Sequence, residues 1–229
     1  VGYGSQIGSI DLMFSSGSYA PTDSPTDCMI DGNGFFMVGQ KSATISEPEE
    51  LTLTRVGDFR FDGDGYLVDS NSNVVYGFSL NEDGTIKEND GLIPIKIPED
   101  DAADAQEGAL KNINSIRIDD KGNVIGIDAN GNKPFTVGKI ALANVPNPNA
   151  LEKTQGPYYK IISNAGNTVA YGAGEGGTGM LMSNGLEMAN VDLAKEFSEM
   201  ITTQRGFQAN TRIITVSDEM LQELISMKR

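Results

Sequence analysis

The chain has 229 residues, 38% of them hydrophobic, which suits one or two globular domains with a packed core and is too much for a disordered chain. A formal net charge of −15, with no histidine and no cluster of Lys and Arg, argues against nucleic acid and anionic membranes as partners. The single cysteine excludes an intrachain disulfide, and the chain contains neither an apolar run of membrane-spanning length nor a signal-peptide pattern.

The first strong pattern is a pair of short apolar runs around a turn. Cys28 is followed by Met29 and Ile30, which predicts a buried strand position, and no base lies nearby to lower the pKa of the thiol. Residues 31–34 read Asp-Gly-Asn-Gly and tolerate positive φ, and residues 35–38 are apolar again. The pattern predicts a β-hairpin over residues 29–38.

Two more hairpins follow from the same kind of pattern. Residues 59–68 turn through Asp62–Gly65, and residues 116–127 turn through Asp119–Asn123. The carboxylates in these turns could suggest calcium, but the sequence after Asp62 lacks the ligand spacing of an EF-hand and has strand patterns on both sides. We therefore expect hairpin turns, with no metal site, in a β domain that extends to about residue 170.

Two segments lack strand patterns. The acidic stretch 99–107 predicts a solvated loop or a single helical turn. The run 172–179 is rich in glycine but lacks the Gly-Lys-Ser/Thr ending of a phosphate loop and carries Glu175, so it predicts a linker. We expect a β domain over 1–171, a linker with a short strand over 172–189, and a helix over 190–229.

The C-terminal pattern predicts one long amphipathic helix. Asn190 is a suitable N-cap, Asp192 would lie in the first turn, and Gly206 is the only glycine within the helix. From 191 to 227 it would be about 55 Å long, more than a domain of this size needs. No partner helix is visible in the sequence, so we expect its apolar stripe to pack between subunits, the alternative being a helix folded back onto its own domain.

The heptad pattern of this helix identifies candidate assembly residues. One heptad position is apolar throughout, and its companion is half polar. Together the two positions, here called the seam, are Leu193, Met200, Phe207, Ile214, Leu221 and Phe197, Gln204, Thr211, Asp218, Ile225. In the second half the stripe widens with Ile213, Val216, Met220, Leu224 and Met227, which predicts contact with more than one neighbour.

The sequence offers little for catalysis. It has no histidine, no Gly-x-Ser-x-Gly motif and no cysteine beside a base, which leaves a carboxylate pair assembled by folding as the remaining enzymatic alternative. We therefore expect a structural protein with no catalytic residues, no cofactor and no small-molecule substrate.

Several segments together resemble the bacterial flagellar hook proteins, members of the hook and rod family of axial proteins. The C-terminal signature of that family is similar to residues 190–193 (Asn-Val-Asp-Leu), 203–210 (Thr-Gln-Arg-Gly-Phe-Gln-Ala-Asn) and 217–224 (Ser-Asp-Glu-Met-Leu-Gln-Glu-Leu). Upstream matches occur in the family's order at residues 17–18, 25–27, 30–36, 54–59, 75–78 and 138–143. The resemblance covers nearly the whole chain.

The resemblance implies an axial protein that is exported unfolded by type III secretion without a cleaved signal peptide and polymerises outside the cell into a hollow tube. Its partners would be further copies of itself and the distal rod, hook–filament junction and hook cap proteins. Hook-like proteins also carry an N-terminal helix, and this chain begins after the place where that helix would lie.

Large hook proteins insert an outer domain after the segment that residues 75–78 resemble, whereas here only a small irregular insertion, about 79–112, lies at that place. The resemblance therefore implies that the outer domain is small or absent. A distal rod protein of the same family shares that feature. The sequences Phe-Gln-Ala-Asn at residues 207–210 and Leu-Gln-Glu-Leu at residues 221–224 resemble the hook more than the rod. A third alternative, an adhesin-like binding module with a helical stalk, is less compatible with the half-polar seam.

Overall fold

Seventeen short strands and one long helix make up the described part of the chain. A computed structural model describes residues 6, 8, 12–41, 45, 48–80, 91–97, 113–128 and 134–227. The chain forms two compact units, Val1–Met188 and Ala189–Arg229. We call the first unit the β body. The predicted fold class, mainly β with a long C-terminal helix, is confirmed, while the domain boundaries proposed from the sequence stay a prediction.

The strands in chain order are β1 (Tyr19–Pro21), β2 (Cys28–Asp31), β3 (Phe35–Gly39), β4 (Thr52–Thr54), β5 (Phe59–Phe61), β6 (Leu67–Asp69), β7 (Val74–Phe78), β8 (Ile93–Pro94), β9 (Ile113–Ile118), β10 (Asn123–Asp128), β11 (Pro134–Ile140), β12 (Leu142–Asn144), β13 (Glu152–Lys153), β14 (Tyr158–Lys160), β15 (Val169–Tyr171), β16 (Met180–Ser183) and β17 (Gly185–Glu187). The helix α1 spans Leu193–Met227, and short 3-10 turns lie at Pro48–Glu50, Pro148–Ala150 and Ser163–Ala165.

Thirteen of the strands form one antiparallel sheet with β3 near its centre. Its main path runs β13-β14-β4-β3-β7-β11-β10-β9, and β12 also pairs with β3. Side chains of β3 alternate between two hydrophobic cores, since Phe36 and Val38 belong to one core and Phe35 and Met37 to the other. Both faces of the sheet are therefore covered at β3, which explains its uninterrupted apolar sequence.

The expected hairpin over residues 29–38 is wrong, although both of its strands exist. β2 pairs with β16 in a separate two-stranded sheet, with Ile30 opposite Leu181, whereas β3 pairs with β4, β7 and β12. Gly32 and Gly34 have φ of 124° and 128°, so the turn does use positive φ, but it leads the chain from one sheet to another. Cys28 is fully buried in β2, as predicted.

The two later hairpins are confirmed, and a third turn shares their design. Strand β5 pairs with β6 and strand β9 with β10, while the additional turn joins β6 to β7. In each turn the first aspartate, Asp62, Asp69 or Asp119, accepts hydrogen bonds from the backbone N–H groups two and four residues later. These carboxylates therefore act as turn caps.

The same three turns need a left-handed residue at their fourth position. Gly65 and Gly122 supply it with φ of 82° and 80°, whereas Ser72 adopts φ of 66° with a side chain present. A non-glycine residue in this region is strained because its Cβ crowds the backbone.

Ser72→Gly should stabilise the β body by about 0.5 kcal/mol, the relief of strain exceeding the extra flexibility that glycine gives the unfolded chain. The urea midpoint of the β body measures this. Ser70→Gly, two residues earlier at a position without positive φ, should instead lower the midpoint slightly. Equal shifts for both variants would contradict the assignment of strain to Ser72.

Two sequence predictions about loops need correction. The described part of the insertion, 91–97, is ordered: β8 pairs with β7, and Ile95 and Ile97 are buried. The run 172–179 is a folded turn of the β body rather than a flexible linker, because Glu175 forms an ion pair with Lys139 and the Thr178 hydroxyl donates to the Gly172 carbonyl. The acidic stretch 99–107 lies outside the described residues.

Candidate assembly interface

The N-cap of α1 lies two residues later than predicted. The Asp192 carboxylate accepts hydrogen bonds from the backbone N–H groups of Ala194, at 2.9 Å, and Lys195, at 3.4 Å. The Asp192 carbonyl accepts the first helical bond, from the Glu196 N–H at 3.0 Å. Asp192 is therefore the N-cap, in the place expected for Asn190, and its negative charge also suits the helix dipole.

Asp192→Ala should destabilise the first turn of α1 by about 1 kcal/mol, whereas Asp192→Asn should keep most of the cap because an amide oxygen can accept the same bonds. Hydrogen exchange of the Ala194 and Lys195 amides measures the difference. Equal exchange in the alanine variant and the unmodified chain would show that the carboxylate does not hold this turn.

None of the residues of α1 is buried in the isolated chain. The seven apolar seam residues are each between 57% and 72% exposed; they are Leu193, Phe197, Met200, Phe207, Ile214, Leu221 and Ile225. At about 100° per residue they lie along one side of the helix, here called face one. Such a long row of exposed apolar side chains is typical of an interaction surface.

The second half of α1 carries a second apolar row. Ile213, Val216, Met220, Leu224 and Met227 are between 47% and 80% exposed. They are centred about 120° around the axis from Ile214, Leu221 and Ile225 at about 100° per residue, and we call them face two. The widening inferred from the sequence thus consists of two exposed apolar rows that point in different directions, and one neighbouring helix could not cover both.

The predicted polar seam residues also lie on face one. Gln204, Thr211 and Asp218 are all exposed, and the Thr211 hydroxyl donates to the Phe207 carbonyl within the helix at 2.9 Å. The structure therefore places the whole predicted seam along one side of α1, while its role in assembly stays a prediction.

Immediately before the helix the chain runs through strand β17, which pairs with β1. Tyr19 lies opposite Glu187, and the pair forms a small sheet of its own. Close packing fixes it: a Cβ on Gly185 would lie 2.2 Å from the Tyr19 ring, and a Cβ on Gly17 would lie 1.8 Å from the Met188 carbonyl oxygen. We call β1 and β17 the terminal strand pair.

Sequence reasoning missed the residue that ties this pair to the rest of the β body. The Arg55 guanidinium donates to both carboxylate oxygens of Glu187 at 3.1 Å, and it also donates to the carbonyls of Gly32, at 2.8 Å, and Gly34, at 2.9 Å. The side chains of Arg55 and Glu187 are only 17% and 14% exposed. A separation of 132 residues in sequence gives no local pattern from which this contact could be found.

Comparison with known proteins decides the family. A family model for the flagellar hook protein FlgE/F/G D1 domain matches residues 29–126, and one for the C-terminal part of the flagellar basal body rod FlgEFG proteins matches residues 182–227. The flagellar basal-body rod protein FlgG of Bacillus subtilis is 38% identical over the whole of this chain, which covers 75% of that relative. The chain belongs to the flagellar hook and rod family of axial proteins. Members of this family are structural components of the flagellum.

Other relatives of this axial protein fall into two groups. The flagellar hook protein FlgE of Borreliella burgdorferi is 46% identical over half of the chain, which covers 26% of that relative. The rod protein FlgG of Buchnera aphidicola from Baizongia pistaciae is 30% identical over 92% of the chain and 68% of that relative. Rod proteins thus match along the length of the chain, and hook proteins match part of it.

The described residues of this axial protein show no group of three or more acidic, cysteine or histidine side chains placed to hold a metal ion. Within the same residues, no helix combines the length and the apolar character needed to cross a bilayer. Burial and the adjacent Asp27 carboxylate raise the pKa of the Cys28 thiol well above its usual range, so this thiol is not a nucleophile at neutral pH.

Proposed function

We propose that this axial protein is a structural subunit of the flagellar hook that polymerises into a flexible, hollow tube and transmits torque from motor to filament. The observation that carries the proposal is α1, a 35-residue helix whose apolar seam is exposed along its entire length. An isolated helix of this kind gains most of its stability from packing, and further copies of the same chain would supply it.

The seam residues have distinct roles in this proposal. The apolar members of face one supply affinity by burial, with Phe207 the largest of those in the middle of the helix. Gln204, Thr211 and Asp218 set the axial register, because a polar group in an apolar interface tolerates few alignments. Face two lets the second half of α1 contact a further neighbour, so each helix joins at least two others in an inner, channel-lining layer.

The β body forms the outer layer in this proposal. Its double-sided sheet is stabilised by two cores within one subunit, so contacts between neighbouring β bodies can change without unfolding them. Export by type III secretion, assembly outside the cell, and contact with distal rod, hook–filament junction and hook cap proteins belong to the same proposal.

A distal rod subunit is the second candidate, and a specific observation favours it. The similarity to the rod protein FlgG of Bacillus subtilis extends over the entire chain, whereas the hook protein of Borreliella burgdorferi aligns with half of it. In favour of the hook, identity to the Borreliella burgdorferi hook protein within the shared half reaches 46%, and the sequence Phe-Gln-Ala-Asn at residues 207–210 resembles that of hook proteins.

Electron microscopy of polymers grown from the full-length gene product tests both candidates, with the 229-residue chain alone as the control. We expect curved, hollow tubes from the full-length product. If the 229-residue chain alone stays monomeric, residues outside that chain contribute to the polymer contacts. Straight, short tubes would favour the rod. Discrete oligomers without a tube would overturn the axial proposal and favour a binding module.

A further inference from the structure

The terminal strand pair is joined to the rest of the β body with little burial of its own residues. Only Gly185 of its six residues is buried, so burial of apolar surface contributes little to its attachment. Its strands pair with each other and with no other described strand. Polar contacts must therefore provide most of the attachment.

Arg55 supplies most of these contacts from a single side chain, and the Tyr19 hydroxyl adds bonds to the carbonyls of Ser183, at 2.9 Å, and Asn184, at 2.8 Å. Its guanidinium holds Glu187 of β17 with two bonds and donates at 3.3 Å to the Ser16 hydroxyl, just before β1. Its remaining donors reach the carbonyls of Gly32 and Gly34 in the body. The Glu187 carboxylate also accepts the Gly17 N–H at 2.9 Å.

We infer that Arg55 is a latch: it locks the terminal strand pair onto the rest of the β body, and the pair can be released as one unit when the Arg55–Glu187 contact opens. Structural features at both ends mark where the released segments would stop. At one end Phe14 packs edge-on against Phe35 and Tyr159, with ring centroids 5.3 Å apart in both contacts. At the other end Asn184 connects β16 to β17 in a left-handed conformation, φ 59°.

The chemistry of the latch requires arginine. A guanidinium presents five N–H donors in a planar fork, which can serve one carboxylate with two parallel bonds and still reach two carbonyls on another side. A lysine keeps the positive charge but cannot occupy all of these positions. Because both side chains are largely shielded from water, loss of either partner leaves a poorly solvated charge.

The latch has a consequence for assembly that rests on the proposed function. Strand β17 is the last strand before α1, and four residues separate Glu187 from the N-cap Asp192. Force applied to the helix would reach β17 first and pass to the sheet through Arg55. Opening the latch would let β17 yield while the main sheet stays folded.

Hydrogen exchange on the 229-residue chain tests the latch without any polymer, so its failure is distinct from failure of the proposed function. A two-stranded pair without support from the rest of the sheet is only marginally stable in water, so a released pair should also open internally. In Arg55→Ala, we therefore expect the amides of Gly17, Thr22 and Met188, all hydrogen-bonded within the pair or beside it, to exchange about 10- to 100-fold faster. The amides of Leu67, Leu92 and Ile95, hydrogen-bonded within the body, should keep their protection.

Two more variants sharpen the test. Arg60→Ala removes an arginine of the β5–β6 hairpin that makes one weak bond, to the Ser70 carbonyl at 3.4 Å, and should leave the terminal strand pair protected. Arg55→Lys should release the pair almost as fully as alanine. Unchanged exchange at the pair in Arg55→Ala, faster exchange throughout the body, or full protection in Arg55→Lys would each overturn the latch as described.

Discussion

Phe207→Ala should raise the concentration needed for polymerisation of the full-length protein by about 30- to 150-fold, because a buried interfacial phenylalanine contributes about 2–3 kcal/mol. Phe207 is 70% exposed in the isolated chain, so its removal costs the monomer almost nothing. The thermal midpoint of the β body, a separate compact unit, should therefore stay unchanged. Sedimentation of polymer against protein concentration, with circular dichroism of the monomer, measures both effects.

Two further variants make this result specific. Thr202→Ala changes a polar residue of the same helix that lies away from face one, and polymerisation should be nearly normal. Met220→Ala removes a side chain of face two and should weaken assembly by a similar mechanism, although less than Phe207→Ala because methionine is less rigid. If Phe207→Ala polymerised at the normal concentration, face one would not be an assembly surface.

Asp69→Ala should destabilise the β body by about 3 kcal/mol, the largest effect among the three turn-capping aspartates. Asp69 is only 3% exposed, and its carboxylate accepts four bonds: two from the backbone at Asn71 and Asn73, one from the Asn73 amide and one from the Tyr158 hydroxyl at 2.5 Å. Alanine would leave these donors without their acceptor. Urea unfolding of the 229-residue chain measures the loss.

A series of turn variants checks the cause. Asp62→Ala removes a cap that accepts only two backbone bonds at the surface and should cost about 1 kcal/mol. Tyr158→Phe should cost an intermediate amount, because it removes the two bonds that link the turn to β14, from the Tyr158 hydroxyl to Asp69 and from the Asn71 amide to that hydroxyl, but keeps the Asp69 cap. Equal losses for Asp62→Ala and Asp69→Ala would show that burial and Tyr158 add nothing to the turn.

Tyr158 also gives this contact a pH dependence. Partial burial, together with the Asp69 carboxylate, raises the pKa of the Tyr158 phenol above its usual value of 10.0. The folded chain therefore keeps this proton more strongly than the unfolded chain does. The protonated phenol therefore stabilises the folded chain fully at neutral pH, and this stabilisation is lost as the pH rises above that usual value.

The features that could be predicted from the sequence are local ones. The hairpins at residues 59–68 and 116–127 depend on a few adjacent residues, with an aspartate that caps the turn and a glycine that accepts positive φ. The long helix was equally visible because its period repeats over 35 residues. Even its start was misplaced by two residues, since Asn190 and Asp192 both suit an N-cap.

Features that depend on distant partners could not be predicted. The turn at residues 31–34 suggests a hairpin, but β2 gains more by pairing with β16, about 150 residues later. The glycine-rich run looked flexible, yet Lys139 and Thr178 hold it in place. Arg55 and Glu187 illustrate the same difficulty, because neither residue carries any local sign of the other.

The burial of Cys28 makes the chain suitable for selective thiol labelling at an introduced cysteine. It is the only cysteine in the chain, it is fully buried in β2, and its thiolate is strongly disfavoured. A cysteine introduced on α1 would therefore be the single thiol of this chain that a maleimide dye modifies under native conditions. Fluorophores placed in this way on faces one and two could follow, in real time, which side of the helix loses contact with water first as subunits join.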